Sequence, residues 1–307
     1  MWQIRLFEER VGRLTRDSEV HGLIHLSTGQ EGVAVGVCSQ LRDDDAVYSG
    51  HRGHGHAIAK GASLEKTMAE LMGRDGGLCR GLGGSMHLVD VEHGFMGATG
   101  VVGGTIPIAL GSALAARLRG DDAVAVVFFG DGAVQAGHFN ETVNLATLWK
   151  LPLIMVCENN GFAEFTPRSA HTNVERVSDV VAPYQVERDT VDGNDVVAVW
   201  DAFGHYLASA REGRGPFLLE CLTHRVSGHY EGDPGSYREA LADAEWQEKD
   251  PILRLQRHGV AQSWFTEEAL PTVESEAAAA VEHAVHFARE SPFPRVELIE
   301  DMVYADG

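Results

Sequence analysis

The stretch AVAVVFFGDGAVQAGHFNETVNLATLWKLPLIMVCENN, Ala123–Asn160, decides the fold. It holds an apolar run, an aspartate between glycines (Gly130-Asp131-Gly132), a helical segment, a second apolar run and Glu158-Asn159-Asn160. A helix over Ala136–Trp149 has 14 residues and spans about 21 Å at ~1.5 Å per residue. A strand over Leu151–Cys157 has seven and spans about 23 Å at ~3.3 Å per residue. The crossover therefore returns nearly to its start. A right-handed βαβ unit then sets Asp131 and Asn160 side by side at the carboxyl ends of neighbouring parallel strands, where such sheets bind ligands. One carboxylate, one amide oxygen and a nearby main-chain carbonyl make a hard oxygen site that suits Mg²⁺, with phosphate oxygens and water completing its octahedron. The flanking glycines let the backbone approach a diphosphate closely. Aspartate between glycines is by itself most often a plain turn. Here the spacing of 29 residues from 131 to 160, with a strand before each end and a helix between, argues for more.

Outward from this unit the alternation continues. PIALGSALAARL precedes it as a small-residue helix, and Val186–Val191, Asp195–Arg211 and Pro216–Leu222 follow as strand, helix and strand. That order predicts an α/β fold, a doubly wound, mostly parallel sheet. Ile4, Phe7, Val11 and Leu14 give residues 1–16 the spacing of an amphipathic helix. Residues 49–104 carry 15 of the 35 glycines and five histidines, and read as site-bearing loops. From about 243 the chain turns Glu- and Ala-rich and helical. Residues 1–307 are expected to form a single domain, with about 243–307 as a helical C-terminal extension of it.

Of the 307 residues, 44% are hydrophobic and 23% charged, an ordinary globular composition. A net charge of −20 repels nucleic acid and anionic membrane surfaces, so a polyanionic ligand must meet a local cationic site. The longest apolar run, Ala123–Phe129, has seven residues, against about 20 for a membrane span. Cys38, Cys79, Cys157 and Cys221 contain no CxxC pair and fit neither zinc nor a disulfide framework. With no apolar leader in MWQIRLFEERVGRL, the expectation is a cytoplasmic protein with no nucleic-acid and no membrane partner.

Further segments narrow the reading: IRLFEERV, GQEGVAVG, HRGHGHAIAKG, GGSMH, GVVGGTIPIALGSALA, FFGDGA, LPLIMVCENN, VDGNDV and GHYEGDPGSYR. In order and spacing, from about residue 4 to 255, they resemble the alpha subunit of the thiamine-dependent first component of 2-oxo acid dehydrogenase complexes. Within that family, HRGHGHAIAKG, ENNGFAE and GHYEGD most resemble acetoin dehydrogenase alpha subunits; pyruvate and branched-chain members share the scaffold.

The resemblance implies thiamine diphosphate and Mg²⁺ as cofactors. It makes Asp131, Asn160 and the main-chain carbonyl of Phe162 the metal ligands, with Gly132 and Ala133 against the diphosphate. Arg52 would hold the terminal phosphate, with His51 where many relatives have a tyrosine on the diphosphate, and His54 in the same loop facing cofactor or substrate. Gly100 and Val102 would contact the aminopyrimidine. His229 matches the active-site loop histidine, read as a mobile-loop proton donor with an ordinary pKa near ~6.5. Gln135 departs from the asparagine usual after GDGA and one more residue. Where kinase-regulated relatives carry loop serines, this chain has Tyr230 and Gly232, so no phosphorylation switch is expected there, Ser236 remaining a weaker candidate. In the same family the glutamate that activates the cofactor sits on a beta subunit. The implied partners are that beta subunit, in a heterotetramer of two alpha plus two beta chains, and a lipoyl-bearing acyltransferase. The substrate would be a small molecule, acetoin or a 2-oxo acid.

Plainer readings stand beside these. His51, His54 and His56 could form a transition-metal cluster, although no acidic or cysteine partner lies at ligand spacing. Arg52 could be a solvated loop cation, and Met86 and His87 simple core residues. Two other functions compete: a free-standing acyloin-forming carboligase that never uses lipoamide, and a cofactor-free structural or regulatory subunit that keeps only the fold.

Overall fold

The computed structural model describes residues 1–238 and 243–297; residues 298–307 of the expected helical extension lie outside the described residues. The chain runs α1 (Trp2–Arg16), α2 (Glu31–Cys38), β1 (Ala46–Ser49), α3 (Gly53–Lys60), α4 (Leu64–Leu71), β2 (Phe95–Ala98), α5 (Thr105–Arg119), β3 (Ala125–Gly130), α6 (Gly137–Trp149) and β4 (Leu153–Asn159). A two-stranded hairpin, β5 (Phe162–Ala163) and β6 (Thr166–Pro167), leads to α7 (Arg168–His171), β7 (Glu187–Asp192), α8 (Val196–Arg211) and β8 (Phe217–Leu222). Helices α9 (Asp243–Lys249), α10 (Pro251–Ala261) and α11 (Leu270–Glu290) close the described chain.

Six strands form one parallel sheet in the order β2-β1-β3-β4-β8-β7. Strands buried on both faces explain the unbroken apolar runs. In β3, Val126 and Phe128 face a core shared with α1, α2, α4, α8 and α11, while Ala125, Val127 and Phe129 face a second core under α5 and α6. The chain leaves β1 for β2 on one side and then crosses to β3 on the other, so the strand order reverses between β1 and β3. A reversal of this kind opens a crevice outside the carboxyl ends of the strands.

One expectation is refined. Most of the glycine-rich region 49–104 is turn and loop, but it also contains α3, α4 and β2. Inside α3 glycine serves close packing. A Cβ on Gly55, inside α3, would stand 2.7 Å from Ser27 Oγ. The described part of the tail is helical, as three separate helices α9, α10 and α11, and Val281, Ala284, Val285 and Ala288 of α11 are buried in the core of α1 and α4.

Candidate active site

The loops leaving β1, β3, β4 and β8 meet at the switch point and enclose a cavity of about 500 Å³. Its wall includes His51 and Arg52 after β1, Gly132 and Ala133 after β3, Asn160 and Phe162 after β4, and Arg225 and His229 after β8. Gly100 and Val102 complete the rim. Nine expected site residues thus share one cavity. Asp131 lies directly behind the wall between Gly130 and Gly132, wholly buried.

On the acidic side, register pairs Gly130 with Glu158, which brings the turn holding Asp131 alongside the turn holding Asn160. Neither carboxylate oxygen of Asp131 has a hydrogen-bond partner among the described residues. Burial pushes its carboxyl above the ordinary aspartate value, with His171 pulling the other way. A buried carboxylate in this state calls for a cation, because buried polar groups are otherwise paired. Asn160 Oδ1 accepts the amide of Phe162 at 3.3 Å, which folds the turn back towards Asp131. A side chain on Gly132 would strike Ala163 Cβ at 2.6 Å, so only glycine lets the β5–β6 hairpin close on the aspartate turn. Oxygen donors of this type fit Mg²⁺.

The opposite side is cationic. Arg52 and Arg225 are both buried, and neither donates to a carboxylate among the described residues. Arg52 donates to the carbonyls of Leu26 and His229, each at 2.7 Å. Arg225 donates to the Tyr237 hydroxyl at 2.6 Å and the Glu164 carbonyl at 3.2 Å, leaving its Nε without a partner among the described residues. Burial, with the Arg225 charge close by, pulls Arg52 down to about 9. Two buried, unneutralised guanidiniums on a protein of net charge −20 form the local cationic site that a diphosphate requires.

His229 stands between the arginines. Its Nδ1 lies 3.3 Å from Arg52 Nη2 and 3.2 Å from Arg225 Nη1. Guanidinium nitrogens only donate, so Nδ1 accepts and the proton sits on Nε2. Burial and the two cations lower His229 to about 4, which corrects the expectation of an ordinary pKa: the ring is neutral at pH 7. Burial and Arg52 likewise lower His25 to about 3 and His51 to about 2. The ring centroids of His25, His51 and His229 lie 4.6 to 5.3 Å apart. The loop bearing His229 is gathered by Asp233, which accepts from the His229 amide at 2.5 Å, the Gly235 amide at 2.9 Å and the Tyr237 hydroxyl at 2.7 Å.

His54 is corrected. It lies in α3, not in a loop, has no exposed surface and does not line the cavity. Its Nδ1 meets Glu8 Oε2 at 2.9 Å and its Nε2 meets Ser85 Oγ at 2.8 Å, so both nitrogens are occupied. His56 is also spent, on Ser49 Oγ at 2.9 Å and Glu158 Oε1 at 3.3 Å. The histidines that do cluster are therefore not 51, 54 and 56 but 25, 51 and 229.

Arg225, His25, Glu158 and His171 escaped the sequence reading. Arg225 stands four residues before His229 in a loop already suspected, and its signal was the need for cationic charge in an acidic chain. His25 and His171 lie in segments with no local pattern, and only the fold brings them in. Glu158 was visible in ENN but could not be told from a strand end.

The family described as dehydrogenase E1 component matches residues 1–297. The alpha subunit of acetoin:2,6-dichlorophenolindophenol oxidoreductase from Bacillus subtilis (strain 168) is 42% identical over 304 residues, covering 98% of this chain and 91% of that protein. Its counterpart from Cupriavidus necator is 43% identical over 305 residues, covering 99% and 92%. The pyruvate dehydrogenase E1 component subunit alpha of Rhizobium meliloti is 40% identical over 305 residues, covering 99% and 88%.

Proposed function

The chain belongs to the dehydrogenase E1 component family, and on that premise we propose that it is the alpha subunit of a thiamine diphosphate- and Mg²⁺-dependent dehydrogenase that cleaves acetoin and passes the acyl group to lipoamide. Members of this family are thiamine diphosphate-dependent oxidoreductases. The two acetoin-type relatives, 42% and 43% identical, favour acetoin over a 2-oxo acid. A separate beta subunit would complete the site, in an assembly of two alpha and two beta chains, and a lipoyl-bearing acyltransferase would take the product. We read residues 1–307 as one domain and the protein as cytoplasmic; among the described residues no helix is long and apolar enough to cross a membrane.

The observation that carries this reading is the pairing, across one cavity, of a buried carboxylate without partners and two buried guanidiniums without counter-ions. Asp131, Asn160 and the Phe162 carbonyl would hold the metal. Arg52 and Arg225 would hold the terminal phosphate, with the amides of Gly132 and Ala133 alongside the diphosphate. Gly100 and Val102 would seat the pyrimidine. When bound, thiamine diphosphate supplies a carbanion that attacks a carbonyl and an electron sink for cleavage of the adjacent carbon–carbon bond.

The chain's own residues bind and orient. His229, neutral with its proton on Nε2, offers a hydrogen-bond donor to the oxygen of a reacting carbonyl as charge develops on it. His25 and His51, neutral beside it, line the same wall without adding positive charge. Glu8 and His54 act one layer back: Glu8 also accepts from the Ser27 amide at 3.0 Å and hydroxyl at 2.7 Å, beside the Leu26 carbonyl that steadies Arg52. His54 is thus a positioning residue in this reading, not a catalytic one. Product analysis of the assembled enzyme with acetoin, with and without lipoamide, tests the proposal. Lipoamide-dependent acyl transfer supports it, whereas acyloin formation indifferent to lipoamide points to the carboligase. Calorimetry showing no binding of thiamine diphosphate with Mg²⁺ would point to a cofactor-free subunit.

A further inference from the structure

His171 ends α7, the short helix that follows the β5–β6 hairpin and returns onto the turn after β3. Its Nε2 lies 3.4 Å from Asp131 Oδ2, with the two side chains only 12% and 1% exposed. That separation is beyond the 2.7–3.2 Å usual for an N–H···O bond. Both ring nitrogens of His171 and both oxygens of Asp131 lack a hydrogen-bond partner among the described residues. A buried imidazole and a buried carboxylate, each without a hydrogen-bond partner among the described residues, therefore lie side by side. Atoms that each lie about 2.0–2.2 Å from a shared ion stand roughly 3.0 Å apart at an octahedral edge and about 3.4 Å at a tetrahedral one. The observed 3.4 Å equals the tetrahedral edge and exceeds the octahedral one by only about 0.4 Å, so a small shift of the imidazole would make the two atoms neighbouring ligands of an octahedral ion.

We propose that His171 Nε2 is a further protein ligand to the divalent ion held by Asp131, adding one nitrogen to an otherwise all-oxygen set. This deepens the proposed function and rests on its assignment of Asp131 as a metal ligand. The consequence is selectivity. Carboxylate, amide and carbonyl oxygens suit Mg²⁺, whereas imidazole suits first-row transition ions, with Mn²⁺ accepting both kinds of donor. The site should therefore prefer Mn²⁺ or Co²⁺ to Mg²⁺, and the loop 160–171 should be drawn onto the aspartate turn when such an ion binds.

The test uses the alpha–beta complex with thiamine diphosphate, loaded with Mn²⁺ and with histidine labelled in ¹⁵N. Pulsed electron paramagnetic resonance should detect one directly coordinated histidine nitrogen in the wild type and none in His171→Ala or His171→Gln. Calorimetric titrations with Mn²⁺ and with Mg²⁺ should give a Mn²⁺ preference of at least about tenfold that falls by a similar factor in both variants, a change of about 1.4 kcal/mol. Absence of nitrogen coupling in the wild-type complex, or an unchanged preference in both variants, would overturn the inference. If Asp131→Ala still loses the ion in that case, the parent assignment stands. If Asp131→Ala keeps it, the parent assignment falls and the His171 inference falls with it.

Discussion

Arg52 reaches across the cavity mouth to His229, donating from Nη2 to its carbonyl at 2.7 Å and approaching its Nδ1 at 3.3 Å. One arginine thus fixes both the backbone position of the histidine and its tautomer. His229→Ala in the assembled enzyme should lower lipoamide-dependent turnover by roughly 10²-fold, the scale of one lost hydrogen-bond donor to a developing oxyanion. Because Arg52 and Arg225 lose a shared acceptor, the same change should also weaken thiamine diphosphate binding, though only a few-fold. Steady-state turnover and calorimetry on one preparation separate the two; equal losses in both would make the histidine purely structural.

The cationic wall makes a pH prediction. His25, His51 and His229 are lowered to about 3, 2 and 4 from 6.5, in each case chiefly by burial. Below pH 6.5 the unfolded chain takes up protons that the folded chain refuses, so their contribution is present above that value and is lost as pH falls towards about 4. Denaturant unfolding between pH 7.5 and 5 should show a falling midpoint, with His51→Asn less sensitive than the wild type. A midpoint that does not move over this range would contradict the buried neutral state.

Asp131→Ala should abolish Mg²⁺-dependent binding of thiamine diphosphate, because the charge that offsets the metal is gone. Asn160→Ala should weaken binding less, since it removes a neutral ligand that water can replace. Calorimetry with and without Mg²⁺ checks the order, and an unaltered affinity in Asp131→Ala would refute the metal assignment.

Glu220, in β8, ties the end of β4 to the segment that follows α7. It accepts from Asn159 Nδ2 at 2.6 Å, from the amides of Val177 and Ser178 at 3.0 Å each and from Thr190 Oγ1 at 3.1 Å. Its hydrogen bonds hold the carboxyl below the ordinary glutamate value against the effect of burial. Glu220→Ala leaves several buried donors unpaired at about 1–3 kcal/mol each. Thermal unfolding should therefore drop by several degrees or more, and the apparent affinity for metal should fall, although Glu220 does not line the cavity. A stable variant with wild-type metal affinity would remove Glu220 from the account.

The central βαβ unit was legible because two periodicities, two turns and one spacing agreed on it, and Gly130 duly pairs with Glu158. The segment around Gly53 and Gly55 was misread because glycine there provides room for packing inside a helix, a property that local sequence does not distinguish from loop flexibility. His54 was misplaced for a related reason: once α3 is a helix, the side chain one position on from Gly53 turns inward to Glu8, 46 residues away. His51 and Arg52, just ahead of that helix, keep the cavity. Arg225 and His171 depend on contacts with distant segments, which neither composition nor period encodes.

The most direct test of the account is turnover by the purified chain, alone and co-expressed with its beta partner, each with acetoin, lipoamide, thiamine diphosphate and Mg²⁺. The split-site reading predicts no useful turnover from this chain alone and cofactor-dependent acyl transfer from the pair. Turnover by the single chain, or none from a correctly assembled pair saturated with cofactor, would contradict it.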